Sequence, residues 1–251
     1  MSDRILESVN NARDFFDIEK FPGNFFTNLE EKNYIDDFGI LLFKEDIGKL
    51  SGFIGYGEGN LTVICINYKR PIGHQNFTFA HELGHWFLHK GQSISDVYVG
   101  SYTHDEVEKE ANDFAIELLY PQNIFQKDYQ KIIEDNLLSN YNRAKLGEYV
   151  DLLCHRYCLS FEVVLRKILY KNRQASNYSD VKKEIEKSLG GKISECFERD
   201  FYVPNDALPE YQRLMAPYGD LKNKLNMLVS KNKIGRATAD SIMLRNGIDI
   251  N

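Results

Sequence analysis

The sequence predicts an α+β fold: a short antiparallel sheet and two chemistry-bearing helices, followed by a mainly helical C-terminal half. Three observations predict it. Short runs rich in β-branched and aromatic residues, bounded by glycines, cluster between positions 39 and 67, which is the pattern of strands. Two helical patterns follow, over 77–91 and 103–121. Beyond Pro121 the apolar residues keep helical spacing. Strands grouped in one part of a chain and helices in another make α+β rather than alternating α/β.

Taken in order, Ser2 caps a first helix whose Ile5, Val9, Ala12 and Phe16 share one stripe. Residues 21–36 show no period and receive no element. Residues 39–43 read as a buried strand. Residues 52–56 and 61–67 read as a hairpin around the turn Gly57-Glu58-Gly59-Asn60. For the helix over 77–91, Asn76 is a suitable N-cap, Lys90 suits the negative end, and Gly91 accepts φ > 0 just past it. Residues 91–102 read as irregular. The next helix is capped by Thr103, with Glu106 three residues later, and is stopped by Pro121.

Further along, Leu146, Val150, Leu153 and Tyr157 mark one helical face, and Ser160 opens a helix bearing Val163, Val164, Ile168 and Leu169. Two helices joined by so short a turn have a weak helix-turn-helix likeness. Arg166, Lys167, Lys171 and Arg173 are too few cations for a helix that reads DNA. Residues 172–180 read as a linker, and 181–189 as a solvated charged helix closed by Gly190-Gly191. Pro204, Pro209 and Pro217 interrupt the chain before helical patterns at 221–229 and 233–244.

At 251 residues, 43% hydrophobic and 27% charged, the composition is that of a globular protein with a sizeable core. A formal net charge of −6 argues against strong direct nucleic-acid binding through phosphate contacts. No apolar run approaches a membrane span, and the start Met1-Ser2-Asp3-Arg4-Ile5 lacks a signal-peptide apolar region, so a cytoplasmic location is expected. Cys65, Cys154, Cys158 and Cys196 show no disulfide framework. Cys154 and Cys158, one turn apart, read as helix packing rather than as a second metal site.

The chemistry centres on His81-Glu82-Leu83-Gly84-His85, the spacing H-E-x-x-H. Helical residues four apart share a face, so two imidazoles so placed can clamp one tetrahedral Zn²⁺. Glu82 can reach a water there without being a ligand. A catalytic zinc needs a third protein ligand. On the second helix Glu108, Ala111, Asn112, Ala115 and Leu119 form one stripe. A carboxylate on a small, buried stripe is costly unless something pairs with it. The two alanines and Gly84 let the helices approach closely enough for Glu108 to complete the site. Gly84 costs about 1 kcal/mol of helix propensity against alanine, so a packing reason for it is expected. Glu110 is the rival carboxylate, pointing about 160° away from Glu108 around the helix. His89 stands about 6 Å further along the axis than His85 and reads as a helix-end residue. Asn112 is placed to hold a ligand from behind. Tyr98, Tyr102 and His104 are candidates to stabilise an oxyanion.

The run from Phe77 to His89, with Glu108 to Ala115 and Leu118 to Pro121, resembles the ImmA/IrrE family of zinc metallopeptidases. The strand-like segment 61–67 ahead of the motif matches its layout. The resemblance covers residues 1–170 in order of elements and 77–121 with specificity. It implies a small zincin-like metallopeptidase core, with His81, His85 and Glu108 as zinc ligands and Glu82 as general base. Two departures stand out: His74-Gln75-Asn76 where the family usually places arginine, and Tyr120 where it usually has methionine.

The expected organisation is a zincin-like core over 1–125, a helical extension over 126–175, and a C-terminal helical region over 176–251. The expected function is that of a zinc-dependent endopeptidase. The resemblance implies a specific cytoplasmic protein substrate, typically a helix-turn-helix transcriptional repressor whose cleavage switches on mobile-element or stress-response genes. The alternative is a regulatory module that binds protein or DNA, with a structural or silent metal site.

Overall fold

The computed structural model describes residues 1–25, 40–45, 47–56, 62–89, 94–96, 106–172, 177–204, 218–232 and 234–245. Helix α1 (Asp3–Phe15) is capped as expected, Ser2 Oγ accepting from the Ile5 amide, and it buries Ile5, Val9 and Ala12. Strands β1 (Ile40–Glu45), β2 (Gly52–Tyr56) and β3 (Thr62–Asn67) follow, then α2 (Ile72–Leu88), β4 (Ile94–Asp96) and α3 (Glu106–Leu119). The second half is helical: α4 (Gln122–Glu134), α5 (Arg143–Tyr157), α6 (Phe161–Lys171), α7 (Tyr178–Leu189), the short α8 (Ile193–Cys196) and α9 (Arg199–Tyr202), then α10 (Tyr218–Ser230) and α11 (Arg236–Arg245). This is the α+β class with a helical C-terminal half. The turn 57–60, the Thr103 cap, Lys90 and Gly91 lie outside the described residues.

The strands lie in the order β1-β3-β2-β4. The expected hairpin is present, with β2 and β3 antiparallel and Ile54 opposite Ile64. Two features go beyond the expectation. β1 runs parallel to β3, Leu42 opposite Ile64, so the sheet is mixed. β4 adds a short strand to β2 within the stretch read as irregular. One face of the sheet carries Ile40, Leu42, Ile54, Ile64 and Ile66 into a single core running from Ile5 to Phe201. On the other face Val63 packs against a smaller cluster of Leu225, Leu228, Ile234, Ala239 and Met243.

Helix α2 starts earlier than the sequence suggests. Pro71, with φ −56°, takes the cap position, and Asn76 lies buried inside the helix. A proline there is already set for helix entry and lacks only an amide that would have no helical partner. Asn76 instead spends its side chain on distant backbone, donating to Gly23 O and Cys158 O and accepting from Phe25 N. Gln75 donates to Tyr68 O and Arg70 O, and His74 Nε2 meets Ser51 Oγ at 2.9 Å. The three residues that depart from the family pattern thus tie the first turns of α2 to Ser51, to residues 68–70, to residues 23–25 and to Cys158. Gly73 lets the chain just past Cys158 come close as well, because a Cβ there would stand 2.5 Å from the Leu159 carbonyl carbon. Tyr120, the other departure, is core: it stacks on Tyr157 and donates to Asp128.

His74 gives the fold a pH dependence. Burial lowers its pKa from 6.5 to about 4, with Arg70 lowering it further and Glu162 opposing. The folded chain therefore holds His74 neutral where the unfolded chain would protonate it. Stability is retained above pH 6.5 and lost as pH falls toward 4, by on the order of 3 kcal/mol at most for this one group. His74→Gln is expected to flatten the fall in unfolding midpoint between pH 6.5 and 4. An unchanged slope would remove His74 from the account.

Candidate metal centre

His81 and His85 stand one turn apart on α2, both fully buried. Helix α3 crosses α2 where Gly84 faces Ala111: a Cβ on Gly84 would lie 3.1 Å from Ala111 Cα. This is the packing reason that the sequence anticipates for Gly84. The close crossing brings Glu108, in the first turn of α3, against both imidazoles. Glu108 Oε2 lies 3.2 Å from His81 Nε2 and Oε1 lies 3.3 Å from His85 Nε2. The two Nε2 atoms are 3.0 Å apart.

His81 Nδ1 faces Asn112 Oδ1 at 3.2 Å, and a carbonyl oxygen only accepts, so the proton of neutral His81 is on Nδ1. His85 Nδ1 faces His89 Nδ1 at 3.1 Å, and His89 Nε2 faces Glu110 Oε2 at 3.0 Å. With His89 neutral, its Nε2–H donates to the carboxylate, so His89 Nδ1 accepts and His85 Nδ1 donates. Both Nε2 atoms then face one another and the Glu108 carboxylate. Two imidazole nitrogens and a carboxylate converging in this way are a donor set that a cation can draw together. Burial also holds the His85 pKa below the ordinary histidine value, outweighing the opposite pull of Glu108. The neutral ring is the form that binds metal.

The donor set suits zinc. Two imidazole nitrogens and a carboxylate oxygen are zinc ligands, and with bonds of about 2.0–2.1 Å the edges of a tetrahedron are about 3.3–3.4 Å long. The separations of 3.0, 3.2 and 3.3 Å are of that size. Among the described residues His81, His85 and Glu108 are the group of metal-ligating side chains that converges in this way, with ligand atoms within 4.8 Å of one another. Cys154 and Cys158 are buried and free, and burial pushes both thiols up, Cys158 to about 12. Neither offers a thiolate at neutral pH.

Glu82 is buried beside His81, with Gly52 of β2 directly against it: a Cβ there would stand 3.2 Å from Glu82 Oε1 and 2.5 Å from Thr78 Cγ2. The lack of a side chain on Gly52 lets the sheet approach Glu82. Tyr98, Tyr102 and His104 lie outside the described residues. His89 and Glu110, which the sequence sets aside, sit directly behind His85. The only sequence signal for them was the polar character of two positions on otherwise packed helices.

Comparison with known proteins agrees with the geometry. The model of the IrrE N-terminal-like domain family matches residues 35–169, more than half the chain. Metallopeptidase ImmA of Bacillus subtilis (strain 168) is 33% identical over 81 residues, which is 32% of this chain and 47% of that protein. The match thus spans about half the length of that curated relative.

Proposed function

The chain belongs to the IrrE N-terminal-like domain family, and on that premise we propose that it is a zinc-dependent endopeptidase. The observation that carries the proposal is the convergence of the Nε2 atoms of His81 and His85 on the Glu108 carboxylate, with Glu82 buried alongside. Three protein ligands are the number that a catalytic tetrahedral zinc takes. The chemistry supplied by bound zinc is Lewis-acid polarisation of a carbonyl and a lowering of the pKa of water toward about 7.

The chain's own residues account for the rest. Asn112 holds the His81 ring, and Glu108 bridges both rings. Glu82 is the general base: it takes a proton from the attacking water and returns it to the leaving amine. The likeness to the ImmA/IrrE family supports a narrow, cytoplasmic protein substrate, a helix-turn-helix transcriptional repressor, with gene expression as the readout.

The reading as a DNA-binding regulator finds less support in α6. Arg166 bonds to Glu162 and stacks on Tyr178, while the Lys167 ammonium donates to Tyr120 O. Burial lowers the Lys167 pKa to about 8. Two of the four cations of this region are therefore already engaged by groups of this chain.

The test is a search for newly formed protein N-termini in cells expressing either the wild-type chain or Glu82→Gln. A terminus inside a transcriptional repressor, present with wild type and absent with Glu82→Gln, is expected. Identical sets of termini would contradict the proposal.

A further inference from the structure

We infer that His89, Glu110 and Arg4 form a positioning relay that fixes the proton and the aim of His85. The inference rests on the zinc-site reading above and adds to it the C-cap of α2, a second carboxylate of α3 and a residue of α1.

The relay is continuous. His85 Nδ1 meets His89 Nδ1 at 3.1 Å, and His89 Nε2 meets Glu110 Oε2 at 3.0 Å. Arg4 of α1 stands over the same carboxylate, its Nη1 3.3 Å from Oε2 and 3.4 Å from Oε1. Arg4 Nη2 also donates to Leu88 O at 2.6 Å, in the last turn of α2. One string of polar contacts thus runs from the ligand on α2, through the C-cap residue of that helix, to α3 and then to α1.

His89 is at the C-cap of α2, with φ −127° and ψ 34°. Its backbone has left the helix, so its ring is not bound to the straight-helix spacing that would carry it past His85. The His89 ring is 6% exposed, Glu110 30% and Arg4 57%. A buried imidazole is costly unless both nitrogens are bonded, and here each nitrogen faces a partner.

The two nitrogens of a neutral imidazole do opposite jobs, one donating and one accepting. A proton on His85 Nε2 would sit where the metal must bind. The His89 acceptor holds that proton on Nδ1, and Glu110 keeps His89 in the tautomer that can accept. Asn112 performs the same task for His81 from α3. Each histidine ligand therefore has its own orienting partner, as metal-bound histidines commonly do. The order of importance follows burial. His89 touches the ligand, Glu110 acts through His89, and Arg4, more than half exposed, contributes a screened charge.

The test measures zinc affinity of the full chain by competition with a chromophoric chelator. It also reads imidazole protonation by long-range ¹H–¹⁵N NMR. Wild type is expected to bind one zinc with the His85 proton on Nδ1. His89→Phe and Glu110→Leu should weaken zinc binding, by about 10- to 100-fold for His89→Phe. Glu110→Gln should recover most of the loss, because its carboxamide oxygen still accepts from His89 Nε2. Wild type binding zinc with both variants within twofold of it would overturn the relay and leave the zinc site standing. A His85 proton on Nε2 in the wild type would overturn it without recourse to any variant. A wild type that binds no zinc would overturn the site and the relay together.

Discussion

Glu108→Ala is expected to cost the protein its zinc and its proteolysis together, whereas Glu82→Gln keeps the zinc and loses the proteolysis alone. Glu108 is the group that approaches both inward nitrogens, at 3.2 and 3.3 Å. Removing it leaves two imidazoles, too few to hold zinc tightly, so affinity should fall by more than the roughly 100-fold that loss of an orienting partner can cause. In the proposed reaction Glu82 would carry a proton rather than a metal. Its amide has nearly the same shape and cannot act as a base, and loss of a positioned base lowers rates by about 10²- to 10⁴-fold. Zinc content and cleavage of the substrate found with wild type would be measured side by side. A Glu82→Gln protein that lost its zinc, or a Glu108→Ala protein that kept it, would exchange the two roles.

The second large effect concerns packing. Gly73→Ala should destabilise the fold by about 1–3 kcal/mol, the usual range for overpacking. Alanine is the better helix former by about 1 kcal/mol, so propensity alone gives the opposite sign. The steric effect is the larger because the added Cβ would stand 2.5, 2.6 and 2.7 Å from Leu159 C, Ser160 N and Leu159 O. Those are backbone atoms, and no rotamer moves them aside. Gly84→Ala is milder, since its nearest contacts are 3.1 Å from Ala111 Cα and O. Its larger effect should be on zinc affinity, because any give in α3 carries Glu108 away from the histidines. Chemical unfolding of both variants would show this. A Gly73→Ala chain as stable as wild type would mean that the first turns of α2 do not rest on the α5–α6 turn.

These expectations show which parts of the structure were legible in the sequence. The pairing of His81 with His85 follows from helical period alone, and the face bearing Glu108 from a stripe of small residues. Gly84 was legible because a helix-weakening residue inside a strong helix needs a reason, and Ala111 is that reason. Features set by distant contacts were not. Asn76 has the local signature of a cap, yet its amide bonds to Gly23 and Cys158, far away in sequence. Strand β4 is three residues long, too short to show a period. The parallel pairing of β1 with β3 depends on where a strand lands, not on its composition. His89 was read as a helix-end residue and is the C-cap of α2, but only the tertiary fold shows its ring against His85. Glu110 was set aside as the carboxylate on the other side of α3. Only the tertiary fold shows that it points at His89 and Arg4.

The central claim is that His81, His85 and Glu108 hold a zinc ion. Elemental analysis of the purified full chain, prepared without chelators, tests it most directly. Near one zinc per chain is expected in both wild type and Glu82→Gln, and little in His85→Ala. A wild-type chain without stoichiometric metal would contradict the account.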